Sequence, residues 1–307
     1  MPVETLTNAR ENLPNVYTDV TAREIDFVSR FGSNWDALRK ILGVMRPIRK
    51  APGTRLVAYT ASVTLQSGEV PEGAVIPYSK YQLVEAAHDD VTIEKYAKAV
   101  PIEDVNKYGV ENAIEKSDDA FLNELQNVVL TRFYRFLREG GTEEVSPLGE
   151  KVDTWQRALA KAKGLVLNEF QKMRKTVTNV VGFANIMDLY DYLGDREITT
   201  QTAFGLTYVQ NFMGYSTLFL LSEEDIPKNY VIAVPVENIN LYYVDPSDSG
   251  FAKLGLNYTT QGETNLIGFH ANGNYSTAVG ESFAIMGMTL WAEYINGIAI
   301  VTVGDGK

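Results

Sequence analysis

Between Leu56 and Gly140 the sequence sets a long β-hairpin ahead of an unusually long helix, and few folds accommodate the two in succession. From Val57 to Leu65 the odd positions are apolar (Val57, Tyr59, Ala61, Val63, Leu65). The positions between them, Ala58, Thr60, Ser62 and Thr64, are small or hydroxylated, which is the period-two signature of a strand. Ser67 to Pro77 is too rich in Gly and Pro for regular structure. A second run of strand character, Val91 to Val100, leads into the helix. A hairpin this long has little core of its own, so the sequence predicts that something outside the subunit holds it.

The helix is predicted from about Gly109 to Arg138. Val110, Ile114, Phe121, Leu125, Val128, Phe133 and Phe136 keep to one drifting stripe, and Gly140-Gly141 provides a stop. At about 1.5 Å per residue it would reach roughly 45 Å. Glu111, Glu115, Asp118 and Asp119 lie in its first half and Arg132, Arg135 and Arg138 near its end, a polarity that suits the helix dipole. Asp118 interrupts the stripe, which predicts that this half is exposed there or covered by another subunit. A coiled coil is the rival reading, but no heptad is sustained.

A hairpin ending in Glu72-Gly73-Ala74-Val75-Ile76-Pro77, a strand around Lys95 to Ile102 and a long spine helix together resemble a tailed-bacteriophage major capsid protein of the Hong Kong 97 fold. The run Gly287 to Ile298 is similar to the closing strands of such proteins. The resemblance implies an α+β fold in five parts. These are an N-terminal arm and helix (1–50), an extended hairpin loop (51–90), a peripheral domain with the spine helix (91–150), an α/β axial domain (151–238), and remaining axial and peripheral strands (239–307).

Composition is compatible with this. A chain of 307 residues, 45% hydrophobic, can bury one large core or two modest ones. A net charge of -11 argues against a protein whose main task is gripping nucleic acid. Residues 81–150 and 201–307 are acidic, while the first fifty and 151–200 are mildly basic. That balance suits a container holding DNA without sticking to it, although negative charge also simply keeps a protein in solution. There is no cysteine, which excludes disulfides, thiolate nucleophiles and cysteine metal sites. Met1 to Leu6 lacks the start of a signal peptide, and about 18 consecutive apolar residues occur nowhere. The expectation is a protein kept in a cytoplasm unless lysis releases it, with no membrane partner.

Along the chain, residues 1–20 read as an extended or disordered arm. Thr21-Ala22-Arg23-Glu24 fits a capping box for a helix that is interrupted at Gly32-Ser33 and stops near Gly43. Arg46, Arg49 and Lys50 fall in a linker to the hairpin. After a polar connection over 142–150, a helix is predicted over Trp155–Met173, a buried strand over Thr178–Phe183 and a short helix over Ala184–Leu193. Strands follow at Ser216–Leu221, Tyr230–Val234, Ile239–Val244, Leu266–Ala271, Ser282–Tyr294 and Ile298–Val303. Helix–strand alternation from 153 to 234 predicts a small α/β domain, and the later strands with the spine a separate α+β layer.

Catalytic chemistry is hard to assemble. His88, beside Asp89 and Asp90, has no Gly-x-Ser-x-Gly partner and reads as an exposed residue in a polar turn. His270 reads as a structural side chain on a strand. Two histidines without cysteine build no zinc site, and no phosphate loop or dinucleotide turn is present. Glu223-Glu224-Asp225 and Asp245-Pro246-Ser247-Asp248 lack calcium-loop spacing and read as turns. No enzyme activity, metal or cofactor is expected. Lys80, placed near the hairpin base, is not assigned to the lysine–asparagine crosslink of some related capsids.

The resemblance implies self-assembly as hexamers and pentamers into the icosahedral head shell of a double-stranded DNA phage, formed in the bacterial cytoplasm. It further implies a portal, DNA packaged without sequence preference, and a separate scaffolding protein, since no long helical prefix precedes the arm. Earlier removal of such a prefix is the other possibility. The interface candidates are Arg55, Glu72, Lys80, Glu115, Asp118 and Asp119, with Arg55 and Lys80 meeting the acids of an adjacent subunit. Two alternatives stay open. One is an encapsulin-type nanocompartment shell; the other is a soluble α+β enzyme or carbohydrate-binding module using Trp155, Trp291 and the tyrosines.

Overall fold

The computed structural model describes residues 16–66, 69, 71–72, 75–76, 78–139, 148–194, 198–203, 206–261, 264–294 and 297–304. They fall into two compact units, each drawn from three stretches of chain. The first takes the chain up to Ala37, then Ile93–Val128 and Asp245–Gly287; the second takes Leu38–Thr92, Val129–Val244 and Met288 onward.

Helix α1 (Val16–Leu42) runs through Gly32-Ser33 without a break and gives way at Gly43, whose φ of 61° is the left-handed geometry that glycine adopts most readily. Thr21 to Glu24 therefore lies inside the helix and is no capping box. Glu24 has other partners: its carboxylate accepts from the Ala271 amide and the Thr259 hydroxyl, each at 2.6 Å, and lies 3.2 Å from His270 Nδ1. Residues 16–20 of the expected arm are helical, and the rest of that expectation lies outside the described residues.

In the first unit, β4 (Glu94–Pro101), β13 (Val279–Met286) and β12 (Ile267–Asn274) form an antiparallel sheet with β13 central. Its inner face packs under aromatic rings: Phe27 of α1 stacks on Phe269 at 4.1 Å and approaches Phe121 at 6.1 Å. After α2 (Ile102–Tyr108) and a π-helical turn at Glu111–Glu115, α3 (Lys116–Arg138) carries the predicted spine. Together the last two span roughly 40 Å. The π turn has no signature in the sequence.

One strand expectation holds with a later start and another changes. The Val91–Val100 run is β4 from Glu94 onward, because the chain turns at Val91, which is fully buried and exchanges backbone hydrogen bonds with Gly53 and Thr54. The hairpin's second arm is β3 (Lys80–Asp90). The predicted Ser282–Tyr294 strand is two strands, β13 and β14 (Met288–Ala292), one in each unit.

The second unit holds a seven-stranded mixed sheet. Its order is β5 (Leu148–Val152), β15 (Ala299–Val303), β10 (Tyr230–Pro235), β6 (Val180–Asn185), β9 (Thr217–Leu221), β8 (Leu206–Gln210), β7 (Gln201–Ala203). Every residue of β6 is buried, as expected of a central strand covered on both faces. On one face lies α4 (Trp155–Lys172), which buries Leu159, Ala162, Val166 and Phe170 against Val180, Leu218, Val231 and Val301. On the other, Phe133 of α3 meets Phe183 edge-on at 5.8 Å, and Phe183 stacks on Phe219 at 5.4 Å. A Cβ at Gly182 would come within 2.8 Å of Leu218, so glycine is needed there.

Of the predicted linker cations, Arg46 and Arg49 belong to a strand and Lys50 directly follows it. β1 (Met45–Arg49) pairs in parallel with β11 (Ile239–Tyr243), and β14 closes this small sheet. Arg46 donates to Asn240 at 3.1 Å and to Glu293 at 2.5 Å, and Lys50 lies over the Tyr242 ring. α5 (Ile186–Leu193) and α6 (Ser249–Lys253) complete the helices described. Trp155 and Trp291 are each 8% exposed and therefore core residues, which removes the ligand platform they were considered for. Among the described residues no helix is long and apolar enough to cross a membrane.

Candidate assembly surfaces

The hairpin is a sheet of two strands only, β2 (Arg55–Thr64) and β3. Arg55 pairs with Asp90 at the base and Thr64 with Lys80 at the far end; a bulge between Ala58 and Tyr59 leaves Ala86 as the extra residue. Lys80 thus marks the tip end of the ladder, not its base, because β3 begins there. His88 is paired opposite Val57 within the ladder rather than in a turn.

Burial falls along this hairpin. Leu56 at the base is 8% exposed, while Val63 is 55%, Leu65 78%, Ile76 74% and Tyr78 96% exposed. Val75 and Tyr81 are also exposed apolar residues. An isolated two-stranded hairpin is at best marginally stable in water, and contiguous exposed apolar side chains mark interaction sites. Arg55, Glu72 and Lys80 are exposed on the same element.

The acids of the spine divide into two kinds. Glu115 and Asp119 are exposed, with Asp119 bonded to Arg30 of α1 at 2.5 Å. Asp118 is 3% exposed. Arg23 grips both its oxygens, at 2.5 and 2.7 Å, and also donates to Ser282 at 3.0 Å. Lys98 of β4 bonds the same carboxylate and donates to Ser117 at 2.6 Å. Burial alone would raise the Asp118 carboxyl, but Arg23 and Lys98 outweigh it and hold the group below its ordinary range. Burial pulls the Lys98 ammonium down, with Asp118 opposing. The expectation that Asp118 is exposed or met by another subunit is corrected: its own chain buries and satisfies it.

The sequence pairs none of Arg23, Glu24 and Lys98 with these partners, and it reads Arg23 and Glu24 only as part of a capping box. Arg23 and Asp118 are 95 residues apart, and Arg23 and Ser282 are 259 apart. A period pattern on one element cannot show such meetings. Among the described residues no group of three or more His, Asp or Glu side chains is placed to hold a metal ion.

No protein-family model matches the sequence, and no curated protein matches it either. Solved structures do. A structure from Mycobacterium phage Patience superposes with a TM-score of 0.53 at 12% identity, over 94% of this chain and 89% of that one. The mature capsid of bacteriophage PhiM1 superposes with a TM-score of 0.54 at 7% identity, over 86% and 87%. The SrpI encapsulin of Synechococcus elongatus is looser, with a TM-score of 0.49 at 12% identity over 97% and 92%. The chain has the α+β Hong Kong 97 fold found in tailed-phage capsids.

Proposed function

We propose that this chain is a shell subunit, the major capsid protein of a tailed double-stranded DNA bacteriophage, assembling as hexamers and pentamers into an icosahedral head. The first compact unit would be the peripheral domain, and the second the axial domain with the extended loop. The observation that carries this reading is the β2–β3 hairpin, which ends in exposed apolar residues on a sheet too small to hold itself.

The energetics favour an apolar contact steered by charge. Burying one Val, Leu or Ile side chain contributes about 1.5–3 kcal/mol, whereas an exposed ion pair contributes about 0–1 kcal/mol. Leu65, Val75 and Ile76 would therefore supply the driving force against a neighbour's spine region. Arg55 and Lys80, meeting Glu115 and Asp119 of that neighbour, would select the register, with Glu72 at the tip facing a cation. Asp118 is left out of this contact. The role is structural, with no reaction assigned. A scaffolding protein, a portal and packaged DNA are the further partners proposed, with assembly in the host cytoplasm.

The test is to express the chain, alone and with a candidate scaffold, and image it by negative-stain electron microscopy beside a light-scattering mass. Closed shells, capsomers or curved sheets support the reading. A uniform monomer under both conditions overturns it. An enzyme co-purifying inside shells would identify a nanocompartment instead of a phage head.

A further inference from the structure

The first unit carries an apolar cleft of about 420 Å³ at the end of its sheet. Val100 enters it from β4, Ile102 and Val105 from α2, and Ala278 and Val279 from the start of β13. Ile114 enters from the π-helical turn, a distortion that occurs mostly at functional sites. Arg23 borders the cleft, but its guanidinium already holds Asp118. Ile102 is 46% exposed and Tyr275, on the rim, 99%. The rim is nonetheless fixed. Asn274 accepts from the Ser276 amide at 3.0 Å and its hydroxyl at 2.6 Å, and donates to Glu281 at 2.8 Å. Water in such a hollow meets few polar partners, so aliphatic side chains displace it favourably.

The course of α1 shows which part of the chain arrives there. Phe27 stacks on Phe269 and Glu24 accepts from Ala271, so α1 runs antiparallel to β12, its earlier residues beside the later ones of the strand. Gly273, Asn274 and Tyr275, which come next, line the cleft. From Arg23 back to Val16, where α1 begins, is about 10 Å, and an equal length of β12 carries Ala271 to Asn274. The chain before Val16 therefore leaves α1 level with the cleft. Residues 1–15 lie outside the described residues, and Val3, Leu6 and Leu13 are their branched aliphatic positions. Fully extended they span at most about 50 Å, enough for any of the three to turn back to the cleft.

We propose that residues 1–15 fold back on their own subunit and seat Leu6 and Leu13 in this cleft. The inference stands apart from the shell reading, since it concerns the single subunit. A tethered segment is present at an effective concentration on the order of millimolar, so it fills the cleft ahead of any partner in dilute solution. A second copy of the chain is the other occupant such a cleft would take, and the experiment separates the two.

The chain has no cysteine, so an engineered pair reports without background. Leu13→Cys with Ile102→Cys, and Leu6→Cys with Ile102→Cys, would be oxidised in dilute solution and read by non-reducing gel and intact mass. At least one pair should form a bridge within one chain about tenfold faster than the control Leu13→Cys with Leu254→Cys, where the segment is equally tethered but no cleft seats it. The control position is 77% exposed on the same unit. Bridging no faster than the control overturns the proposal, and bridging only between two chains assigns the cleft to a second copy. A bimane fluorophore on Tyr275→Cys gives a second reading that leaves the cleft walls intact. Its emission should shift to longer wavelength in the variant that also carries Leu6→Ser and Leu13→Ser, and identical spectra would overturn the proposal as well.

Discussion

Asp118 and Ile76 stand at opposite ends of one scale. Asp118 is 3% exposed, and two cations from other elements bind it; Ile76 is 74% exposed beyond the end of a two-stranded ladder. Both break the ordinary rule, a charge inside and a large aliphatic outside. The first violation is repaired within the subunit. The second is left open among the described residues, and the proposed shell contact is built on that surface.

Breaking the buried end should have the largest effect on the isolated subunit. Asp118→Ala leaves Arg23 and Lys98 without their shared anion, and removing one partner of a buried pair costs about 3–5 kcal/mol. Because Arg23 keeps 26% of its side chain exposed, the lower end is expected, read as a fall in the urea midpoint. A loss under about 1 kcal/mol would show that water replaces the carboxylate.

Next comes Glu24→Ala. It strips the Ala271 amide and the Thr259 hydroxyl of their acceptor, at about 1–3 kcal/mol for a buried donor left unsatisfied. The same denaturation measurement checks it, and an unchanged midpoint would mean that the edge of β12 does not depend on α1.

Acid sharpens the contrast further. The folded Asp118 carboxyl lies below its unfolded value of about 3.9, so its stabilisation is complete above that value and is lost as pH falls through the folded one. Unfolding midpoints should drop as pH goes below about 4, and Asp118→Asn should show a shallower drop. Parallel curves for the two proteins would contradict the assignment.

At the exposed end the expected effect on the subunit is near zero. Ile76→Asp combined with Tyr78→Ser should change unfolding by no more than about 0.5 kcal/mol, since neither side chain has a buried environment to lose. Shell yield by sedimentation should fall sharply. Lys80→Glu should act in the same assay but more weakly, at about 0–1 kcal/mol. If either protein unfolds more readily, the tip is packed within its own subunit after all.

Much of the fold was legible because it rests on local periodicity. The all-buried β6, amphipathic α4 and the spine through α3 follow from spacing, with bounds near those expected. Three features were not. β1 reads as a linker because its cations hide a strand that backbone pairing with β11, together with Asn240, Glu293 and Tyr242, holds in place. The Thr21–Glu24 motif suggests a helix start because the carboxylate's actual partners on β12 and at Thr259 lie more than two hundred residues away. Asp118 reads as exposed because an interrupted stripe does not reveal a cation arriving from another element. The hairpin was legible from its pattern, but the register that places Lys80 at the tip end depends on pairing.

The central claim is that the hairpin has no stable home within one subunit and gains one from a neighbour. Amide hydrogen exchange resolved over β2 and β3, measured on free subunits and on assembled particles, tests this most directly. The account predicts rapid exchange from Val63 through Tyr81 in the free subunit, against slow exchange across α4 and β6, and strong protection of the same segment after assembly. Slow exchange already present in the free subunit, unchanged on assembly, would contradict it.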